Sequence, residues 1–176
     1  MKTITENEFR IRHGDIHQAV FTGKSLQEGA FSDPTWTAIW IVDSHCQVGD
    51  YWRPLAYEAK NQGDKSLVMV DESGSKAGAM ELSWDPTAFK EARFRFALGV
   101  EIFGSSGTWG AFLTDSLITC LGGSSYIMDP IVEALGGRGI LDADFERWTS
   151  DIAVELLDRC TVNELRVAAG LRSLPG

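Results

Sequence analysis

The eight residues TWTAIWIV, Thr35–Val42, constrain the fold more than any other stretch of the chain. β-Branched and aromatic side chains dominate them, and such side chains suit a pleated strand. Apolar residues fall on both faces of that strand, so both faces need covering. This predicts a strand in the middle of a sheet. Ser66–Val70 and Ala77–Trp84 read as an antiparallel pair, with the polar Glu72–Lys76 as their turn. Trp109–Leu121 reads as two further short strands around Thr114-Asp115.

Phe9–Phe21, FRIRHGDIHQAVF, carries apolar residues at odd positions before Gly14-Asp15 and at even positions after it. A continuous strand cannot change parity without a bulge, whereas a two-residue hairpin loop changes it automatically. The segment is therefore expected to be a β-hairpin turning at Gly14-Asp15. Phe9, Ile11, Ile16 and Val20 would face the core, and Arg10, Arg12 and His17 would lie on the other side.

Helices dominate the remainder. Asp85-Pro86 is a helix start, because Asp caps and Pro at the first position loses no needed hydrogen bond. Phe89, Ala92, Phe96, Val100 and Phe103 recur at helical spacing and carry the helix to about Phe103, before Gly104. Asp129-Pro130 predicts another start, and Gly136-Gly137 its stop. Asp144–Arg159 follows, with Phe145, Trp148, Ile152 and Leu156 on one stripe. Thr161 and Glu164 form a capping box for a last helix to about Arg172. The pattern is one α+β domain over residues 1–176. An antiparallel sheet from the N-terminal two-thirds packs against helices mainly from the C-terminal third.

Charge narrows the function. The formal net charge is −9. Affinity for nucleic acid comes largely from cationic neutralisation, so no nucleic-acid surface is expected. The acidic residues are dispersed, which suits solubility; a basic partner is the sharper alternative. The apolar runs are too short to span a bilayer, and MKTITENEF lacks the apolar core of a signal peptide. The three cysteines, Cys46, Cys120 and Cys160, are widely spaced, without a C-x-x-C. Cys120 in LITCL reads as a buried free thiol. A reducing, cytoplasmic setting is the expectation.

Three places invite a chemical reading. The triplet His13, Asp15 and His17 has the look of a ligand set, but the hairpin parts the two imidazoles and brings Arg12 opposite His17. No metal site is expected there. Asp43–Pro54, DSHCQVGDYWRP, concentrates Asp43, His45, Cys46, Asp50, Tyr51, Trp52 and Arg53 directly after the strongest strand. Such a loop can be an ordinary turn, a binding surface anchored by His45, Tyr51, Trp52 and Arg53, or a catalytic cluster of Asp43, His45, Cys46 and Asp50. Leu121–Ser125, LGGSS, lacks the lysine of a phosphate-binding loop and reads as a turn followed by a cap.

Gly107–Leu135, with Trp109-Gly110, the Leu117–Leu121 strand, Gly122-Gly123 and the helix after them, resembles a strand–strand–helix segment of small acidic bacterial immunity-type, toxin-neutralising proteins. The resemblance covers about a sixth of the chain. It implies action by binding a partner, without cofactor or catalytic residues. Two functions stand against each other. One is a non-catalytic protein that binds a macromolecular partner, a basic toxin or enzyme among the candidates. The other is a small hydrolase-like enzyme using Asp43, His45, Cys46 and Asp50. Neither requires a cofactor, and the oligomeric state stays open.

Overall fold

The computed structural model describes residues 1–22, 30–42, 51–71, 78–93, 95–96, 99–114, 118–152, 157, 159–172 and 174. Seven strands form one sheet: β1 (Lys2–Ile4), β2 (Thr37–Val42), β3 (Leu67–Asp71), β4 (Ala79–Leu82), β5 (Val100–Gly104), β6 (Trp109–Leu113) and β7 (Ile118–Gly123). Their spatial order is β1-β4-β3-β5-β6-β7-β2. Every neighbouring pair is antiparallel. The helices are α1 (Glu6–Arg12), α2 (Gly14–Val20), α3 (Trp52–Asn61), α4 (Pro86–Arg93), α5 (Ser125–Ala134), α6 (Arg138–Arg147) and α7 (Arg159–Ala168). A π-helical turn, Trp148–Ile152, continues α6. The α+β class holds: the strands all lie between Lys2 and Gly123, and the described elements after Gly123 are helical.

Strand periodicity divides the sheet into two faces. One face is covered by α3, α4 and α5. There Ile39, Leu67, Met69, Val100, Ile102, Trp109 and Leu121 join Trp52, Leu55, Phe89, Ile127 and Ile131 in a single buried cluster. The opposite face carries two clusters. Ile4, Val68, Ala79 and Phe103 lie with Val20 and Phe21 of the α1–α2 end, while Trp40, Phe112 and Cys120 lie with Phe145 and Trp148 and with Val162 and Leu165 of α7. Phe31 packs against both.

The glycines Gly110 and Gly122, paired in register across β6 and β7, explain how Phe31 reaches the sheet. A Cβ at Gly122 would run into the Phe31 ring, and one at Gly110 into Val20 and Phe21. Two strand positions without side chains thus leave a trough that aromatic rings fill.

Several elements differ from expectation. Phe9–Phe21 is helical, not a hairpin. Thr5 and Glu8 form a reciprocal capping box that starts α1. Phe9, His13, His17 and Val20 then follow at three- and four-residue steps. Ile11, whose alternation with Phe9 suggested a strand, is 72% exposed. The Thr37–Val42 strand exists, but at an edge of the sheet. Both its faces are apolar because α6 packs on it from one side and the large cluster receives Ile39 and Ile41 on the other. Arg138 Nη1 donates to the Ala38 carbonyl of this edge strand at 2.7 Å.

The helix from Pro86 ends at Arg93, and Val100 and Phe103 belong to β5. Their three-residue spacing fitted a helix, yet in β5 they point to opposite faces, Val100 to the single cluster and Phe103 to the α1–α2 side. Ser124, not Asp129, is the N-cap of α5, and Pro130 lies inside that helix. The first-turn preference of proline was outweighed by the apolar stripe Ile127, Met128 and Ile131, which starts earlier. The helix expected from Asp144 starts at Arg138 instead, and α7 starts at Arg159, so Thr161 and Glu164 are inside it rather than at its cap. The strand pairs β3–β4 and β6–β7 and the stop at Gly136-Gly137, both at φ 94°, are as expected. The turn Glu72–Lys76 lies outside the described residues.

Candidate functional site

Residues 43–50, and with them Asp43, His45, Cys46 and Asp50, lie outside the described residues. Their neighbours are placed, and two correct the binding-surface expectation. Tyr51 and Trp52 are 1% and 4% exposed. Tyr51 is the N-cap of α3, and its hydroxyl accepts from Thr119 Oγ1 at 3.5 Å. The Trp52 ring lies 4.3 Å from Phe89 and 5.5 Å from Trp84, centroid to centroid. Both side chains are core because α3 turns its Trp52, Leu55, Ala56 and Ala59 stripe onto the sheet. Of the three placed residues Tyr51, Trp52 and Arg53, Arg53, one residue round the helix, is the one that faces water.

That helix geometry brings a different residue forward. Tyr57 follows Arg53 by four positions, off the buried stripe, and is 66% exposed. α3 packs beside α5, where Tyr126 is 74% exposed. Asp129 and Glu133, at three- and seven-residue steps from Tyr126, are exposed as well. The outer surface of this helix pair therefore offers two phenol rings, a guanidinium and carboxylates. The signal was present in the sequence: once residues 52–61 are read as a helix, Tyr57 is the aromatic residue that misses the apolar stripe.

Behind these helices lies a tightly paired carboxylate. Asp64 is 2% exposed and accepts from Ser105 Oγ, the Ser106 amide, Ser106 Oγ and Trp109 Nε1 at 2.6–3.0 Å. Its own carbonyl accepts from Trp84 Nε1. A Cβ on Gly104 would collide with this carboxylate and with the Trp109 indole, so glycine is needed there for space. With all those donors inside the protein, Asp64 ties the end of α3 to the β5–β6 turn.

On the opposite face, α1 and α2 bring the two histidines of HGDIH to one side, a turn apart, where both rings lie near Phe9 and Phe103. His17 Nε2 is 2.6 Å from Glu101 Oε2. His13 is 6% exposed, and neither ring nitrogen has a hydrogen-bond partner among the described residues. Burial pushes the His13 imidazole below its ordinary range, aided by the Arg12 charge and opposed by Glu81. Burial disfavours charge on Glu81 too, but the Ser66 hydroxyl and the Arg12 guanidinium outweigh it and hold that carboxyl low. Asp15 is exposed. Among the described residues no three His, Cys, Asp or Glu side chains converge as metal ligands.

Of the placed cysteines, Cys120 is buried and Cys160 is exposed, where its Sγ donates to Glu164 Oε1 at 3.5 Å. Burial pushes the Cys120 thiol up to about 12, against the pull of Arg138. Such a thiol is a packing group rather than a nucleophile. Among the described residues no helix is long and apolar enough to cross a membrane. No protein-family model, curated protein or solved structure matches the chain.

Proposed function

We propose that the chain acts by binding a basic protein partner through the outer surface of α3 and α5. The observation that carries this reading is the pair of exposed tyrosines, Tyr57 and Tyr126, on two adjoining helices. A phenol ring adds rigid, amphipathic contact area at small entropic cost, and Tyr and Arg are enriched among residues that anchor interfaces. The net charge of −9 supports a basic partner, since it attracts and orients one during encounter. Neutralisation of a basic toxin or enzyme is the specific form of this reading, and it rests on the resemblance of Gly107–Leu135. Arg53 remains among the binding residues; Tyr51 and Trp52 support the helix from beneath.

Cross-linking capture from host extract, run with the wild type and with the Tyr57→Ala, Tyr126→Ala double variant, tests the proposal. A basic protein should be recovered by the wild type, and both the double substitution and high salt should remove it. Recovery of the same proteins by both forms would sink the reading.

A further inference from the structure

We infer that α1 and α2 form an acid-released cover over the β4, β3 and β5 side of the sheet, with His13 as the sensing group. The cover rests on an apolar patch: Phe9, Ile16, Val20 and Phe21 pack on Val68, Val70 and Phe103. His13 lies within that contact, at the joint where α1 gives way to α2. A neutral imidazole is tolerated there. An imidazolium would bring two N–H donors and a charge into a contact that provides neither nitrogen with a hydrogen bond among the described residues.

The charged groups around His13 come from each packed element. From α1 itself, Arg12 repels a second cation. From β4, Glu81 attracts one, but its carboxylate is already engaged by Arg12 at 3.1 Å and Ser66 at 2.9 Å. From β1, Lys2 lies on the same face, in register with Glu81, and pairs with Glu8. On α2 and β5, His17 and Glu101 answer one another. His17 already has a carboxylate partner at 2.6 Å, so it is not the unpartnered group that releases the cover. The free imidazole of an opened segment protonates near its ordinary value of about 6.5, whereas the closed one resists. Acid therefore favours opening, and the opened state exposes Val68 and Phe103 on the sheet.

Amide hydrogen exchange on the full chain, corrected for the pH dependence of intrinsic exchange, reads this directly. Protection of residues 9–21 should fall by about tenfold per pH unit below about 6.5, while β6, β7 and α5 keep theirs. His13→Phe should abolish the fall, and His17→Gln should keep it. Should His13→Phe fail to fold, His13→Leu and an NMR titration of the wild-type imidazole decide the matter. A His13 that titrates well below about 6.5 in the folded chain supports the inference. Unchanged protection in the wild type, simultaneous loss across the whole sheet, an equal fall in the His13 variant, or a His13 titrating at or above that value would each overturn it.

Discussion

The two faces of the sheet solve the same problem differently. Under α3, α4 and α5 the apolar side chains join in one cluster, and the buried carboxylate there, Asp64, has four donors. Under α1, α2, α6 and α7 the core is split in two, and the buried imidazole of His13 has no hydrogen bond among the described residues. A satisfied buried polar group fixes a structure, and an unsatisfied one leaves a place where it can open. The difference marks the first face as the rigid platform and the α1–α2 half of the second as the conditional part.

The largest effect expected from breaking this contrast is at Asp64. Asp64→Ala leaves the Trp109 indole and the Ser106 amide without their acceptor and should cost about 3 kcal/mol or more. Chemical denaturation should show a lower midpoint at unchanged slope; a loss below about 1 kcal/mol would make the two faces equivalent. Gly122→Ala strikes the boundary between the two clusters. Its methyl displaces Phe31, and a loss of about 1–3 kcal/mol is expected in the same measurement.

His13→Phe should act in the other direction. It replaces an orphaned polar ring with an apolar one among phenylalanines, so stability near neutral pH should rise by about 1 kcal/mol. Its pH dependence sharpens the comparison. The folded wild type holds His13 below its ordinary value, so stability is full above about 6.5 and falls as the pH drops beneath it. Glu81, held low by its partners, contributes stability that is present above about 4.3 and lost at lower pH. Thermal melts of the variant should lose the upper part of this acid response and keep the lower. The smallest effect belongs to the platform's outer surface: Tyr57→Ala and Tyr126→Ala should each change stability by less than about 0.5 kcal/mol, whatever they do to binding.

Legibility in the sequence followed the length and singleness of each signal. The β6–β7 pair and the strand Thr37–Val42 were readable because β-branched and aromatic runs between turn residues have few alternatives. The edge position of β2 was not, since apolar side chains on both faces report coverage and not neighbours. Around Phe9–Phe21 two periods competed. Phe9 and Ile11 suggested alternation, whereas Thr5 with Glu8, and the spacing of Phe9, His13, His17 and Val20, specified a helix. The deciding fact, that Ile11 faces water, belongs to the tertiary structure. The same limit governed the site. Trp52 and Tyr51 looked like surface anchors because composition says nothing about which way a helix is rolled. Tyr57 became visible only through the stripe formed by Leu55, Ala56 and Ala59. Asp64 and its partners Ser105, Ser106 and Trp109 are about forty residues apart in the chain, and no local pattern connects them.

The Arg138 guanidinium on the Ala38 carbonyl bears on how such a chain behaves when crowded. A seven-stranded sheet has two borders, and a bare border strand invites another chain to continue the ladder. Here one border is the three-residue β1, with Lys2 at its start, and the longer β2 has α6 over it and a cation on a backbone acceptor. Fibrous growth by strand addition therefore meets a short, charged end on one side and an occupied one on the other. Both features oppose edge-to-edge pairing between copies at high local concentration.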